Sequence, residues 1–134
     1  NGVIGLMNKQ NPKDFGNNLI CNISEPSLIN AAKEAGKTRA QMSMRIATDD
    51  IDGGIVAIGN APTALLEVME MVREGLVKPA LVIGIPVGFV SAVESKEELS
   101  KTEISFITNV GRKGGSPCAS AIINALYKLL KGIN

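Results

Sequence analysis

The chain has 134 residues, 45% of them hydrophobic and 20% charged, which is the balance of an ordinary folded domain and excludes disordered and fibrous classes. Its 14 Lys and Arg against 13 Asp and Glu leave a formal charge of +1, with 3% aromatics and no Trp. That argues against nucleic acid as a partner, which needs a clustered basic face or a base-stacking platform. No apolar run approaches the roughly 20 residues that cross a bilayer, so no membrane span is expected. There is no His, which removes the commonest general acid/base and the commonest metal ligand. Cys21 and Cys118 lie far apart without metal or redox spacing. They read as small buried apolar residues of a reducing, cytoplasmic compartment. The chain begins at Asn1 with no cleavable signal, and reads as processed, truncated or a fragment.

In chain order, residues 2–7 are short and apolar and fit either the end of a helix or an edge strand. Residues 8–17 are polar, with Pro12 and Gly16, and read as a surface loop. Residues 18–23 form the first of four β-branched runs that predict strands; the others are 54–58, 80–85 and 104–108. All four are nearly continuous rather than alternating, as in parallel sheets covered on both faces. Ser24 is placed to cap a helix over residues 25–35, with Pro26 tolerated in its first turn. A short helix follows over 38–47. Residues 62–75 put Leu65, Val68, Met69, Val72 and Leu76 on one stripe, with Gly75 as the C-cap. Residues 91–101 predict a helix with charge on its exposed side. Residues 116–131 put Ala119, Ile122, Ile123, Leu126 and Leu130 on one stripe of the last helix. Met42, Met44, Met69 and Met71 read as core or interface filler. Strand–helix repetition implies right-handed crossovers and one α/β domain over 1–134, a three-layer α/β/α sandwich around a parallel sheet.

Ligands of open parallel sheets bind outside the carboxyl ends of the strands. Three unusual turns directly follow strands: Gly59-Asn60-Ala61-Pro62-Thr63-Ala64-Leu65; Pro86-Val87-Gly88-Phe89-Val90 with Glu94-Ser95-Lys96 beyond it; and Gly111-Arg112-Lys113-Gly114-Gly115-Ser116. Parallel strands send all three to one edge. Two open directly into helices, whose free N–H groups and macrodipole favour anions. Gly115 and Ser116 let a ligand approach the backbone, while Arg112 and Lys113 add charge. The implied ligand is anionic, through carboxylate or phosphate. Each feature also has a purely structural reading. The first turn is then an Asn cap before a Pro-started helix, and Gly114-Gly115 a tight turn. Arg112-Lys113 is a solvated loop, Glu94-Ser95-Lys96 an exposed helix surface, and Arg39 an ordinary first-turn residue. With neither GxxxxGK[ST] nor GxGxxG present, a nucleotide reading rests on fold analogy alone.

Taken together, Val56-Ala57-Ile58-Gly59-Asn60-Ala61-Pro62-Thr63-Ala64-Leu65, Gly84-Ile85-Pro86-Val87-Gly88-Phe89-Val90, Glu94-Ser95-Lys96, Gly111-Arg112-Lys113-Gly114-Gly115-Ser116 and Asn124-Ala125-Leu126 resemble the precorrin-8X methylmutase family. Order and spacing match over residues 54–126, and weaker similarity reaches back through Lys37-Thr38-Arg39 to Gly2-Val3. The chain corresponds to the later two-thirds of the family's usual length. The resemblance implies an isomerase of cobalamin (vitamin B12) biosynthesis. Such enzymes move a methyl group from C11 to C12 of a corrin precursor, giving a hydrogenobyrinic-acid-type product without a cofactor or metal. It also implies a flavodoxin-like fold and a homodimer with the macrocycle near the subunit interface. That substrate is a flat apolar ring fringed with carboxylates, and its site needs apolar walls with N–H groups and cations at the rim. By the resemblance, Arg39 engages the substrate. Arg112 and the backbone of Gly114, Gly115 and Ser116 suit a carboxylate. Asn60 and Thr63 shape or cap the first turn, Gly88 belongs to the binding set, and Phe89 contacts the ring.

One departure stands out. The family's proposed proton donor is a His in its N-terminal third, and this chain has none, so no catalytic residue is assigned. The strand expected before Gly2 is also missing. In the flavodoxin-like order 2-1-3-4-5 that strand sits inside the sheet. Without it, residues 18–23 and 54–58 face a gap of unpaired backbone groups, costly when buried. Either the remainder of the protein lies outside this chain or the edge is rebuilt. Two other readings stay open: a related non-catalytic binder of a corrinoid or another anionic ring, and a Rossmann-like phosphate or nucleotide binder.

Overall fold

Three of the four apolar runs become strands. β1 (Ile55–Ile58), β2 (Leu81–Gly84) and β3 (Phe106–Thr108) form a parallel sheet in the order β1-β2-β3, in a computed structural model that describes residues 2–132. Ile55 stands opposite Leu81, and Val82 opposite Phe106. α6 (Pro62–Arg73) connects β1 to β2, and α7 (Ala92–Ser100) connects β2 to β3. Right-handed crossovers that add strands in one direction put both helices on the same face. That face is the larger core, where Val56, Ile58 and Val82 meet Leu65, Val68, Met69 and Leu99. The alternate residues Ala57, Leu81, Ile83 and Ile85 point the other way, onto Ala119, Ile122, Ile123 and Leu126 of α8 (Ser116–Leu130) and Val3 of α1 (Gly2–Leu6). The layers are therefore α/β/α. Each fully buried Leu, Ile, Val or Met contributes about 1.5–3 kcal/mol, so these two faces carry the stability.

α3 (Pro26–Ala35), α4 (Arg39–Ile46) and the one-turn α5 (Thr48–Ile51) precede the sheet, and Met44 and Ala47 pack on the larger core. α4 starts with a full capping box: Thr38 Oγ1 accepts from the Gln41 amide, and Gln41 Oε1 accepts from the Thr38 amide. α6 ends as its glycine requires. Gly75 takes φ +76°, and the Leu76 and Gly75 amides close onto Met71 O and Val72 O.

Residues 18–23 are a correction: they run without strand pairing, and Leu19 and Ile20 are exposed. A strand exists only through a ladder, and among the described residues no neighbour occupies the outer edge of β1. Residues 8–17 are not simply a surface loop. They contain α2 (Gln10–Asp14), whose Asn11 and Pro12 are buried, and they are tied to α8 through Asn8 with Asn124 and Asn17 with Tyr127. Residues 2–7 take the helical alternative, in α1. Glu25 rather than Ser24 sits at the start of α3, with no side-chain cap. Leu76 and Leu130 fall at helix ends and are exposed. Cys21 and Cys118 are also exposed, and neither is in a disulfide, against the expectation of burial.

Candidate functional site

Parallel strands deliver their following turns to one edge, and here the turns touch. The Gly115 amide donates to Ile85 O at 2.9 Å, joining the third turn to the second. The Gly88 amide donates to Arg112 O at 3.2 Å, a further tie between the same two. The first turn meets the start of α8 so closely that a Cβ on Gly59 would lie 2.7 Å from Ser116 Cα. A Cβ on Gly114 would lie 2.5 Å from Ile85 O and 2.8 Å from Pro86 O. Glycine is needed at both positions because the obstacle is backbone, which cannot swing aside. Gly88 and Gly115, with φ +139° and +120°, hold conformations that residues with a Cβ rarely adopt. Ser91, at φ +66° just before α7, is a non-glycine in the left-handed region, a strained position of the kind that clusters at functional sites.

Above these ties lies an exposed surface. The Arg112 guanidinium carbon sits 4.9 Å from the centre of the Phe89 ring, a cation–π contact worth about 0.5–1 kcal/mol when exposed. Phe89, Val90 and Val110 are 83%, 82% and 98% exposed, so apolar area stands beside a cation. Asn60 is exposed and Thr63 half-buried, and neither side chain caps α6: Ala61 holds that place, with Pro62 in the first turn. Capping, one of the two roles expected of Asn60 and Thr63, is thus not seen among the described residues. Ser116 opens α8 directly after Gly115.

Arg39 comes from another part of the chain. Glu67 on α6 accepts from Gln41 at 3.3 Å and from Arg45 at 2.6 Å, and pairs with Lys37 at 3.0 Å; Arg45 also reaches Glu74 at 2.6 Å. These contacts hold α4 against the middle and the end of α6. Among the described residues no hydrogen bond or ion pair joins Arg39 to those turns. Burial pushes the Glu67 carboxyl up, but the hydrogen bonds from Lys37 and Arg45 outweigh it, and Glu67 titrates below the usual carboxylate range. Glu67 lies between Ala64 and Val68 on the buried side of α6, a position from which its charge had kept it out of the apolar stripe.

Glu94-Ser95-Lys96 is not an exposed helix surface. Glu94 is exposed, but Ser95 and Lys96 are buried with Ala92 and Leu99 on the inner stripe of α7. Lys96 Nζ donates to Gly111 O at 2.8 Å and to Lys113 O at 2.5 Å. Burial holds the Lys96 ammonium below the usual lysine range. The spacing of residues 92, 95, 96 and 99 was the signal for this; lysine's charge hid it.

The turns form a wall rather than an enclosed pocket. The concavity beside them, lined by Lys96, Asn109 and Gly111 among others, is about 60 Å³. A larger open groove of about 890 Å³ lies at the other end of the sheet, between residues 75–79 and 102–105. None of the candidate residues lines it. Among the described residues no group of three Cys, Asp or Glu side chains is set to hold a metal, and no helix is long and apolar enough to cross a membrane.

A family model described as precorrin-8X methylmutase matches residues 3–129. A cobalt-precorrin-8 methylmutase of Priestia megaterium is 55% identical over 119 residues, 89% of this chain and 53% of the relative. One from Methanocaldococcus jannaschii is 50% identical over 115 residues, 86% of this chain and 55% of the relative. The solved precorrin-8x methyl mutase of Thermus thermophilus superposes with a TM-score of 0.86 at 36% identity, covering 98% of this chain and 65% of that one. The chain thus spans little more than half the length of these two curated relatives. With a family model matched over nearly its whole length and the turns that carry the resemblance gathered at one edge, the chain belongs to the precorrin-8X methylmutase family.

Proposed function

We propose that this chain supplies the substrate-binding wall of an isomerase that moves a methyl group from C11 to C12 of a corrin precursor in cobalamin biosynthesis, with no cofactor. The observation that carries the reading is the meeting of the three turns, with Arg112 stacked on Phe89 above backbone locked by Gly59, Gly114 and Gly115. A precorrin is a broad apolar ring with carboxylates on its rim. Phe89, Val90 and Val110 offer the apolar floor. Arg112, the backbone at Gly114, Gly115 and Ser116, and Arg39 from α4 offer the rim contacts. Asn60, Thr63 and Gly88 complete the wall. These residues bind and orient, and holding one reactive geometry contributes several kcal/mol toward an intramolecular shift.

A wall needs something opposite it. The reading therefore takes the protein as a cytoplasmic homodimer of flavodoxin-like fold, in which residues 1–134 are one domain and a partner surface or further chain closes over the macrocycle. The exposed Phe89, Val90 and Val110 support that closure, since apolar side chains this exposed and adjacent suit a covered state. The experiment is conversion of precorrin-8X by the purified chain, alone and joined to the additional segment that the longer relatives carry. The joined protein is expected to turn over. Failure of both to turn over or bind the substrate ends the enzymatic reading. Binding without turnover by the joined protein would instead make it a non-catalytic corrinoid binder.

A further inference from the structure

Lys96 occupies a position that an apolar residue would fill at no desolvation cost. It is 2% exposed, and its neighbours on the inner stripe of α7 are Ala92, Ser95 and Leu99. Among the described residues its ammonium makes no ion pair with a carboxylate. A buried cation without a counter-charge is costly unless its donors are satisfied. Two of its three N–H donors are met by carbonyls of one turn, Gly111 O and Lys113 O, which flank Arg112 in sequence. The same turn is held from two other directions. Asn109 Nδ2 donates to Lys113 O at 2.9 Å, and the Gly88 amide donates to Arg112 O at 3.2 Å.

The geometry has a directional consequence. With the carbonyls on both sides of Arg112 drawn inward to one ammonium, the Arg112 side chain is left outward, over Phe89. The chain then enters Gly114 and Gly115 already aligned for the Gly115 amide to reach Ile85 O. Shorter side chains on α7 would not bridge to that turn, and a neutral one would not hold two carbonyls as charge-assisted acceptors. We infer that Lys96 is a positioning residue: its buried ammonium clamps the carbonyls flanking Arg112 and so fixes Arg112 and the backbone of residues 114–116 to face an anionic ligand. The ligand half of this inference rests on the function proposed above; the clamp itself does not.

The test separates the two. In the unmodified protein, NMR detection of lysine ammonium groups is expected to show Lys96 with slowed proton exchange. An ordinary solvent-exposed signal overturns the clamp whether or not any variant folds. In Lys96→Met, amide exchange at Gly88 and Gly115 is expected to quicken by about tenfold or more, while the amides of Val82 and Ile85, which donate to Ser105 O and Ile58 O, stay within about twofold. Lys96→Arg, which keeps the charge and donors, is expected to restore much of the protection. Equal quickening at all four amides would mean a general stability role, and no quickening would mean no clamp; either overturns the inference. Hydrogenobyrinic acid binding, followed by titration calorimetry, is expected to weaken about tenfold in Lys96→Met and to recover partly in Lys96→Arg. Unchanged binding in a variant whose turn has loosened overturns the ligand half. Absence of binding by the unmodified protein, both alone and joined to the additional segment, overturns the proposed function, with the clamp still judged by exchange.

Discussion

Glu67 shows how a charge is kept inside this protein. It is 4% exposed, and its carboxylate is met by Lys37, Gln41 and Arg45. Replacing it in Glu67→Gln leaves Arg45 its second partner, Glu74, so the loss falls short of a fully orphaned buried charge. A destabilisation of about 2 kcal/mol is expected in urea unfolding. The pH dependence has a definite sign. Glu67 and Glu74 titrate below the usual carboxylate range in the folded protein, so their contribution is complete above the unfolded value of about 4.3 and is lost as pH falls through the lowered folded values. Acid melts of Glu67→Gln are therefore expected to be flatter below that pH than those of the unmodified protein. Gly114 gives the opposite kind of prediction. A Cβ there would press on Ile85 O and Pro86 O, so Gly114→Ala is expected to cost about 1–3 kcal/mol by thermal unfolding and to disturb the turn that carries Arg112. At this scale Arg112 was legible in the sequence as a charge in its turn, and Phe89 only through the family resemblance. Lys96 and Glu67 were not, because a charged residue is read as surface until its partners are known.

Elements were legible where local rules suffice. Apolar spacing located α6 and α8 to within one or two residues, and Pro26, Pro62 and Pro117 all sit in the first turn of their helices. The cap of α4 is local too, and it sits beside Arg39. Thr38→Ala removes the side-chain half of the capping box and is expected to cost about 1 kcal/mol in urea unfolding. Because the same cap sets the direction in which α4 begins, Arg39 is expected to lose some alignment with it. Residues 18–23 mark the limit of local reasoning. Their composition favours a strand, but a single extended segment gains nothing from β-branched residues without a neighbour to bond. The run at 54–58 did find one, in β2, and so became the edge strand β1.

The whole molecule is a sheet with helices on both faces and its distinctive turns at one edge, which for a parallel sheet is the edge where ligands bind. A surface with Phe89, Val90 and Val110 standing in solvent beside Arg112 is expected to be covered in the working protein. If the covering body is a second copy, light scattering at assay concentration should give twice the 14.1 kDa of one chain; a monomer would count against a shared site. If the ligand is a polycarboxylate, its affinity should fall steeply with added salt, since exposed charges are screened within about 8–10 Å at physiological ionic strength. An affinity indifferent to salt would argue that Arg39 and Arg112 do not meet it. The large groove at the opposite end of the sheet, although wider, has Arg73 already paired with Glu70 and Glu98, and none of the three turns reaches it.

By itself the sequence determined the fold class, the parallel direction of the strands and the collection of the turns at one edge, because helix periods, β-branched runs and right-handed crossovers are consequences of chain chemistry over short distances. It also carried the family resemblance, through motifs whose order and spacing are linear. Only the tertiary structure decided which charges go inside, that Lys96 braces the turn of Arg112, and that residues 18–23 stay unpaired. Those outcomes depend on partners distant in the chain, and a residue's pairing energy is not a property of its own neighbourhood in sequence.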